Sequence, residues 1–179
     1  DAYYNHSAQS AKNYFLVWDY AINQGFAFGS GMGTNHHYGY QVRKIYTTAW
    51  LMRDAIWKAP NRDNILSALI FWSALQETRI PFQYGRDELL DSWHTLLMAK
   101  TVSALLFVDE RERARALAGL SRWLSGSLQY SPGTIGGIKV DGTTFHHGGF
   151  YPAYTTGVLA MVGQFIAPVS YTHLTLPTI

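Results

Sequence analysis

Residues 41–78, QVRKIYTTAWLMRDAIWKAPNRDNILSALIFWSALQET, decide the fold. In the first part Ile45, Ala49, Met52 and Ile56 recur at three and four residues, with Ala55 beside them, which is the period of one helix face. Ala59-Pro60 ends that helix, because proline lacks a backbone donor and pushes its predecessor out of helical geometry. Asp63 is placed to cap a second helix reaching about Thr78, with Ile65, Leu66, Leu69, Ile70 and Ala74 inward. The pattern extends outward in both directions. Ser7 to Asn23 carries a broad apolar face of Tyr14, Phe15, Val17, Trp18, Ala21 and Ile22. Leu89 to Phe107 and Glu110 to Gln129 are two more helices, the arginines of 110–115 forming a solvated face, and Pro152 to Ala167 resumes the period. Glycine-rich stretches 25–39 and 131–149 read as long loops, and almost nothing alternates as a strand does. The class is all-α, either a bundle or helical hairpins curling into a solenoid or toroid. The long loops favour the second arrangement, with loops at one end gathered into a cleft.

Composition narrows the function. The 179 residues are 47% hydrophobic and 15% charged, enough apolar material for one domain or part of a larger one. A net charge of +2 makes no case for nucleic acid or an anionic membrane surface, and no apolar run approaches a membrane span. The absence of cysteine removes disulfides, zinc–cysteine sites and thiol nucleophiles. Aromatic residues make up 15%, including 6 Trp and 12 Tyr, which serve either a core or sugar-stacking platforms. Trp50, Trp57, Trp72 and Trp93 read as core, Trp18 as either, and His94 as structural inside its helix. The first residues suggest no signal peptide. The last ten, Ser170 to Ile179, have no charge and no helical period, and Ser170–Thr178 resembles translated sequencing adaptor. The expectation is therefore one partial domain over 1–169 and a non-native tail over 170–179.

Four of the seven histidines form two adjacent pairs. One lies in Asn35-His36-His37-Tyr38-Gly39-Tyr40, the other in Phe145-His146-His147-Gly148-Gly149-Phe150-Tyr151-Pro152-Ala153-Tyr154. Both are expected in glycine-bearing loops that open into helices, followed by clustered tyrosines. Adjacent histidines rarely serve one ion, and no H-E-x-x-H is present, so a structural zinc site is disfavoured. A divalent cation such as calcium, helping to hold an acidic substrate, is the one candidate cofactor. Acid–base chemistry fits better: histidine accepts a proton near neutrality, and a phenol donates one. His147 and Tyr154 stand seven positions apart across a loop-to-helix junction, which can place both on one cleft wall. No G-x-S-x-G, phosphate-binding loop or convincing carboxylate pair supports hydrolase or phosphoryl-transfer chemistry.

With Arg43 added to the first motif, and Asp141-Gly142-Thr143 leading into the second, the sequence resembles polysaccharide lyases of the chondroitin ABC lyase type, within the hyaluronate, chondroitin and xanthan lyase family. The resemblance runs from about Gly25 to Ile166. It implies an incomplete α/α toroid of helical hairpins, here without the family's β-sandwich domains. It also implies β-elimination at the uronic acid of a glycosaminoglycan: chondroitin sulfate, dermatan sulfate or hyaluronan. By similarity Tyr154 is the proton donor, and the base where the C5 proton lies on its side, and His147 is its partner or the base for the opposite configuration. His37, with His36, would neutralise the substrate carboxylate. Asn35, Tyr38, Tyr40 and Arg43 are candidates for substrate contact, and so is His146, which stands where a close relative carries arginine. The supporting arginine and glutamate of the family are expected beyond residue 169, so this segment is expected to be inactive alone. The resemblance further implies a monomer located in the periplasm or secreted. The rival readings are a helical carbohydrate-binding module without catalysis and a lyase for another uronate polymer.

Overall fold

A computed structural model describes residues 8–85 and 88–174, with the side chains at 8, 36 and 164–174 left aside. Helix α1 spans Ala8–Asn23, α2 Asn35–Leu51, α3 Arg53–Lys58 and α4 Arg62–Trp72. Left-handed Ala74 (φ 54°) breaks α4 from a 3₁₀ turn, Leu75–Arg79. A continuous helical stretch follows as α5 (Leu89–Asp91), a π-helical segment (Ser92–Leu96) and α6 (Leu97–Leu105). Then come α7 (Glu110–Ser127), three short antiparallel strands and α8 (Pro152–Leu174). The protein is all-α, as the helical periods require.

Several local expectations are corrected. Helix α2 begins at Asn35, so the first histidine pair lies in a helical turn and not in a loop. Asp63 sits inside the first turn of α4, whose N-cap is Asn61, so it lends charge to the helix start and does not cap it. The cap expected there occurs instead on α7, where the Asp109 side chain accepts from the Glu112 amide at 2.9 Å. Val17 is exposed, and so is Trp50, which carries the Arg53 guanidinium 4.6 Å from its ring centroid. Trp18, Trp72 and Trp93 are buried. Helix α8 continues past Ala167 to Leu174, and 175–179 and His6 lie outside the described residues.

The buried apolar residues form two clusters. One joins α1, α2, α3, α4 and α6 around Tyr46, Ile56, Leu69 and Trp72; the other joins α5, the π segment, α6, α7 and α8 around Leu90, Trp93, Trp123 and Val158. Helix α2 packs along α6 and the π segment, and α8 packs on the π segment from another direction. The line where these elements meet is therefore fixed by both cores.

Gly39 sets how closely α2 approaches. A Cβ there would lie 2.5 Å from both Cβ and Oγ1 of Thr95 and 3.0 Å from a Leu96 methyl. Alanine at 39 gains up to about 1 kcal/mol of helix propensity, but it overlaps an atom that no side-chain rotation can move away. Overpacking should win, so Gly39→Ala is expected to destabilise the chain by about 1–3 kcal/mol. Gly157 in α8 has nothing within 4 Å of its own Cβ position. Gly157→Ala should therefore stabilise by about 0.5–1 kcal/mol. Thermal melting followed by circular dichroism reads both, and equal shifts of the same sign would contradict the packing described.

Candidate active site

The second histidine pair is carried by a small sheet inside the glycine-rich stretch. Strand β1 (Gly137–Ile138) pairs with β2 (Thr144–His146), and β2 pairs with β3 (Gly149–Phe150), His146 facing Gly149. His147 and Gly148 alone connect β2 to β3, and both have positive φ, 52° and 74°. A two-residue connection of that kind is a type I′ hairpin turn. Histidine tolerates the left-handed region better than most residues, and the turn holds the His147 ring at an exposed tip. Lys139 braces the base of the loop, its ammonium donating to Ser131 Oγ at 2.8 Å and lying 4.7 Å from the Phe145 ring centroid. Burial pushes the Lys139 amine downward, opposed by the nearby Asp141 carboxylate.

Tyr154, in the first turn of α8, is the meeting point. Its hydroxyl donates to Asp91 Oδ1 and shares a hydrogen bond with the Tyr40 hydroxyl. Tyr40 also donates to Asp91 Oδ1 at 3.3 Å and lies 3.4 Å from His94 Nδ1. The His146 ring stacks on Tyr154 (centroids 5.2 Å apart, planes 7° apart) and turns Nε2 toward Asp91 Oδ2 at 3.5 Å. His94 meets Tyr154 edge-on at 5.6 Å, and Tyr151 closes the other side at 6.1 Å. Arg43 donates to the His94 carbonyl at 3.0 Å and spreads its guanidinium 5.7 Å from the Tyr40 ring centroid. His147 lies against His146 with the ring centroids 3.8 Å apart and the planes tilted by 35°.

Electrostatics follows from this crowding. Burial pushes the Tyr154 phenol well above the ordinary tyrosine range, and hydrogen bonding to Asp91 and Tyr40 and the Asp91 charge add to it. Burial also raises Tyr40, although its bond to Tyr154 offsets part of the rise. His94 is pushed downward by burial and by the Arg43 charge, with Asp91 opposing. A phenol in this position is held protonated.

The structure thus brings together His146, His147, Tyr154, Tyr40 and Arg43 among the expected residues. His37 stands one turn before Tyr40 on α2, exposed, with Nδ1 2.9 Å from the Thr34 hydroxyl. Asn35 serves the fold, donating to the Phe71 carbonyl at 2.6 Å, and Tyr38 packs on Trp72 at 4.5 Å. The His36 side chain lies outside the described residues. Two members were missed by sequence reasoning. His94 reads as structural yet touches both tyrosines, and Asp91 drew no notice although it follows Leu89-Leu90 and precedes Trp93 on a helix whose apolar face it shares. That interruption of a buried face was the available signal.

Asp91, His146 and His147 bring one ligand atom each within 4.8 Å of one another. Both oxygens of Asp91 are already occupied by Tyr40, Tyr154 and His146. Two imidazoles and one carboxylate are also not the oxygen shell that calcium takes, so no metal is assigned to this cluster.

A family model described as "Lyase, catalytic" matches residues 1–178. The chain belongs to this lyase catalytic-domain family. The chain is 33% identical over 165 residues to a chondroitin sulfate ABC exolyase of Bacteroides thetaiotaomicron, covering 91% of this chain and 16% of that protein. It is 30% identical over 161 residues to a chondroitin sulfate ABC endolyase of Proteus vulgaris, covering 89% and 16%. A chondroitin sulfate ABC exolyase of Proteus vulgaris matches at 33% over 147 residues, covering 80% and 14%. The resemblance to the chondroitin ABC lyase type is borne out. The chain spans about one sixth of the length of these relatives.

The turn makes its own prediction. Gly148→Ala should cost about 1–2 kcal/mol, the penalty of a side chain in the left-handed region. His147→Asn, with a residue that favours this turn, should leave the melting midpoint within about 0.5 kcal/mol of the parent. A Gly148→Ala variant as stable as the parent would contradict the turn.

Proposed function

We propose that this segment supplies catalytic residues to a lyase that cleaves uronic-acid glycosaminoglycans by β-elimination, with chondroitin and dermatan sulfate as substrates and hyaluronan as a further one. The observation that carries the reading is the protonated Tyr154 phenol held against Asp91, Tyr40 and His146, with His147 presented at the adjacent hairpin tip. The names of the three relatives support the substrate class.

The chemistry needs two groups. A base removes the proton on C5 of the uronate, the C4–C5 double bond forms, and the bond from C4 to the bridging oxygen breaks. An acid then protonates the departing oxygen. We assign the acid to Tyr154, because its surroundings keep the proton on the phenol until a strongly basic alkoxide develops beside it. His147, exposed where a chain can reach it, is the base for the uronate whose C5 proton lies on its face, and Tyr154 takes that part for the opposite C5 configuration. Where His147 is the base, one proton leaves Tyr154 as another arrives on His147, and exchange with water restores both.

Removing the C5 proton places charge beside an existing carboxylate, so that carboxylate must be neutralised. His37, at the exposed first turn of α2, is proposed for this task, where the helix start also favours an anion. Arg43 and His146 are proposed to contact sulfate or carboxylate groups along the chain. A divalent cation such as calcium would assist from the substrate side. No helix among the described residues is long and apolar enough to cross a membrane. Export to the periplasm or medium fits a polymer too large to enter the cell.

The test uses the full-length protein, with chondroitin sulfate, dermatan sulfate and hyaluronan supplied separately, with and without divalent cation. Ultraviolet absorbance of unsaturated uronate should rise on the first two substrates. Tyr154→Phe should lower turnover by about 10²–10⁴-fold while oligosaccharide binding stays within a few-fold of the parent. Binding without any absorbance rise in the parent would instead favour a non-catalytic carbohydrate-binding module.

A further inference from the structure

Asp91 is 6% exposed and ends α5 directly after the buried Leu89 and Leu90. A buried carboxylate costs several kcal/mol unless hydrogen bonds replace its water. Tyr40 on α2 and Tyr154 on α8 donate to it, and His146 on β2 lies with Nε2 3.5 Å from its other oxygen. A residue kept only for packing at that point would be apolar, as Leu89 and Leu90 are.

The backbone is arranged around this group. The π segment starts directly after Asp91, and such a widened turn offsets the side chains that follow it, which is why π segments recur at functional sites. Here the offset puts His94 against both tyrosine rings. The missing side chain of Gly39 lets α2 press onto Thr95, bringing Tyr40 within reach of Asp91.

We propose that Asp91 is the positioning residue of the active site, holding the Tyr154 and Tyr40 hydroxyls as one hydrogen-bonded unit. The inference rests on the lyase reading above and adds a residue to it. In the resting site Tyr154 donates to Asp91 Oδ1, and the single Tyr40 proton is divided between Asp91 Oδ1 and the Tyr154 oxygen. In turnover the Tyr154 proton passes to the leaving oxygen, and the Tyr40 hydroxyl turns its donor wholly to the phenolate that remains. The groups that face Tyr154 are Tyr40 from α2, Asp91 from α5, His94 from the π segment, His146 from β2 and Tyr151 at the start of α8, with Arg43 behind Tyr40 and His94.

The test compares the full-length parent with Asp91→Asn and Tyr40→Phe. Asparagine preserves shape but removes the charge, so Asp91→Asn should lower kcat about 10²-fold with KM within about threefold. Tyrosines labelled at the ring carbon bearing the hydroxyl give a readout independent of turnover, with Tyr154→Phe identifying the resonance. In the parent the Tyr154 signal should show no phenolate at any pH where the fold survives, and Asp91→Asn should bring its titration down toward the ordinary tyrosine range. The alkaline limb of the kcat profile should move to lower pH with it. An unmoved Tyr154 titration, or a kcat within threefold of the parent, would overturn the proposal. If Asp91→Asn does not fold, Tyr40→Phe decides alone: a fall in kcat of about tenfold or more at constant KM supports the unit, and an unchanged kcat overturns it. Failure of the lyase reading is distinct, since the parent itself would then release no unsaturated uronate.

Discussion

A single buried carboxylate organises this part of the molecule. Asp91 cannot be left without hydrogen bonds at its depth, and no one element supplies them. Helix α2 gives Tyr40, the small sheet gives His146 and α8 gives Tyr154, from positions 51, 55 and 63 residues away in the chain. Removing the acid would leave two phenols and an imidazole with nothing to fix their direction. The requirement to satisfy one oxygen pair is thus also what assembles an acid–base constellation.

The two apolar clusters make that assembly rigid. Trp72 and Tyr46 anchor α2 from one side, while Trp93, Trp123 and Val158 anchor α5, the π segment and α8 from the other. The site lies along the seam, with Tyr154 packed against the second cluster and Tyr40 carried by the helix that the first cluster anchors. His147 departs from this arrangement. It is carried by a two-residue turn at the surface, where a substrate chain can approach it. A half-buried, fixed acid beside an exposed base suits a polymer that must enter from solvent and align one bond.

Local information explains what was legible in the sequence. His147 and Tyr154 are seven positions apart, so a short loop and one helical turn suffice to relate them. The helices were legible because apolar residues recur at three and four positions over long runs. Asp91 and His94 were not, because their meaning depends on tyrosines more than fifty residues distant. The π segment has no period of its own to betray it. The strands of the 131–149 stretch are two or three residues long, too short for alternation to register, and their turn reads only as another glycine-rich patch. The first histidine pair was assigned to a loop because Gly39 resembles punctuation, whereas Gly39 serves a close helix contact.

Product analysis in water enriched in oxygen-18 tests the central claim most directly. The full-length protein would digest chondroitin sulfate in that solvent, with both ends of the products read by mass spectrometry and proton resonance. Elimination predicts non-reducing ends one water lighter than the hydrolytic product, with a vinylic proton and no hydroxyl at C4, and no solvent oxygen taken up when the bond breaks. Saturated ends bearing a C4 hydroxyl, with solvent oxygen at the new reducing end, or a polymer left intact, would contradict the account.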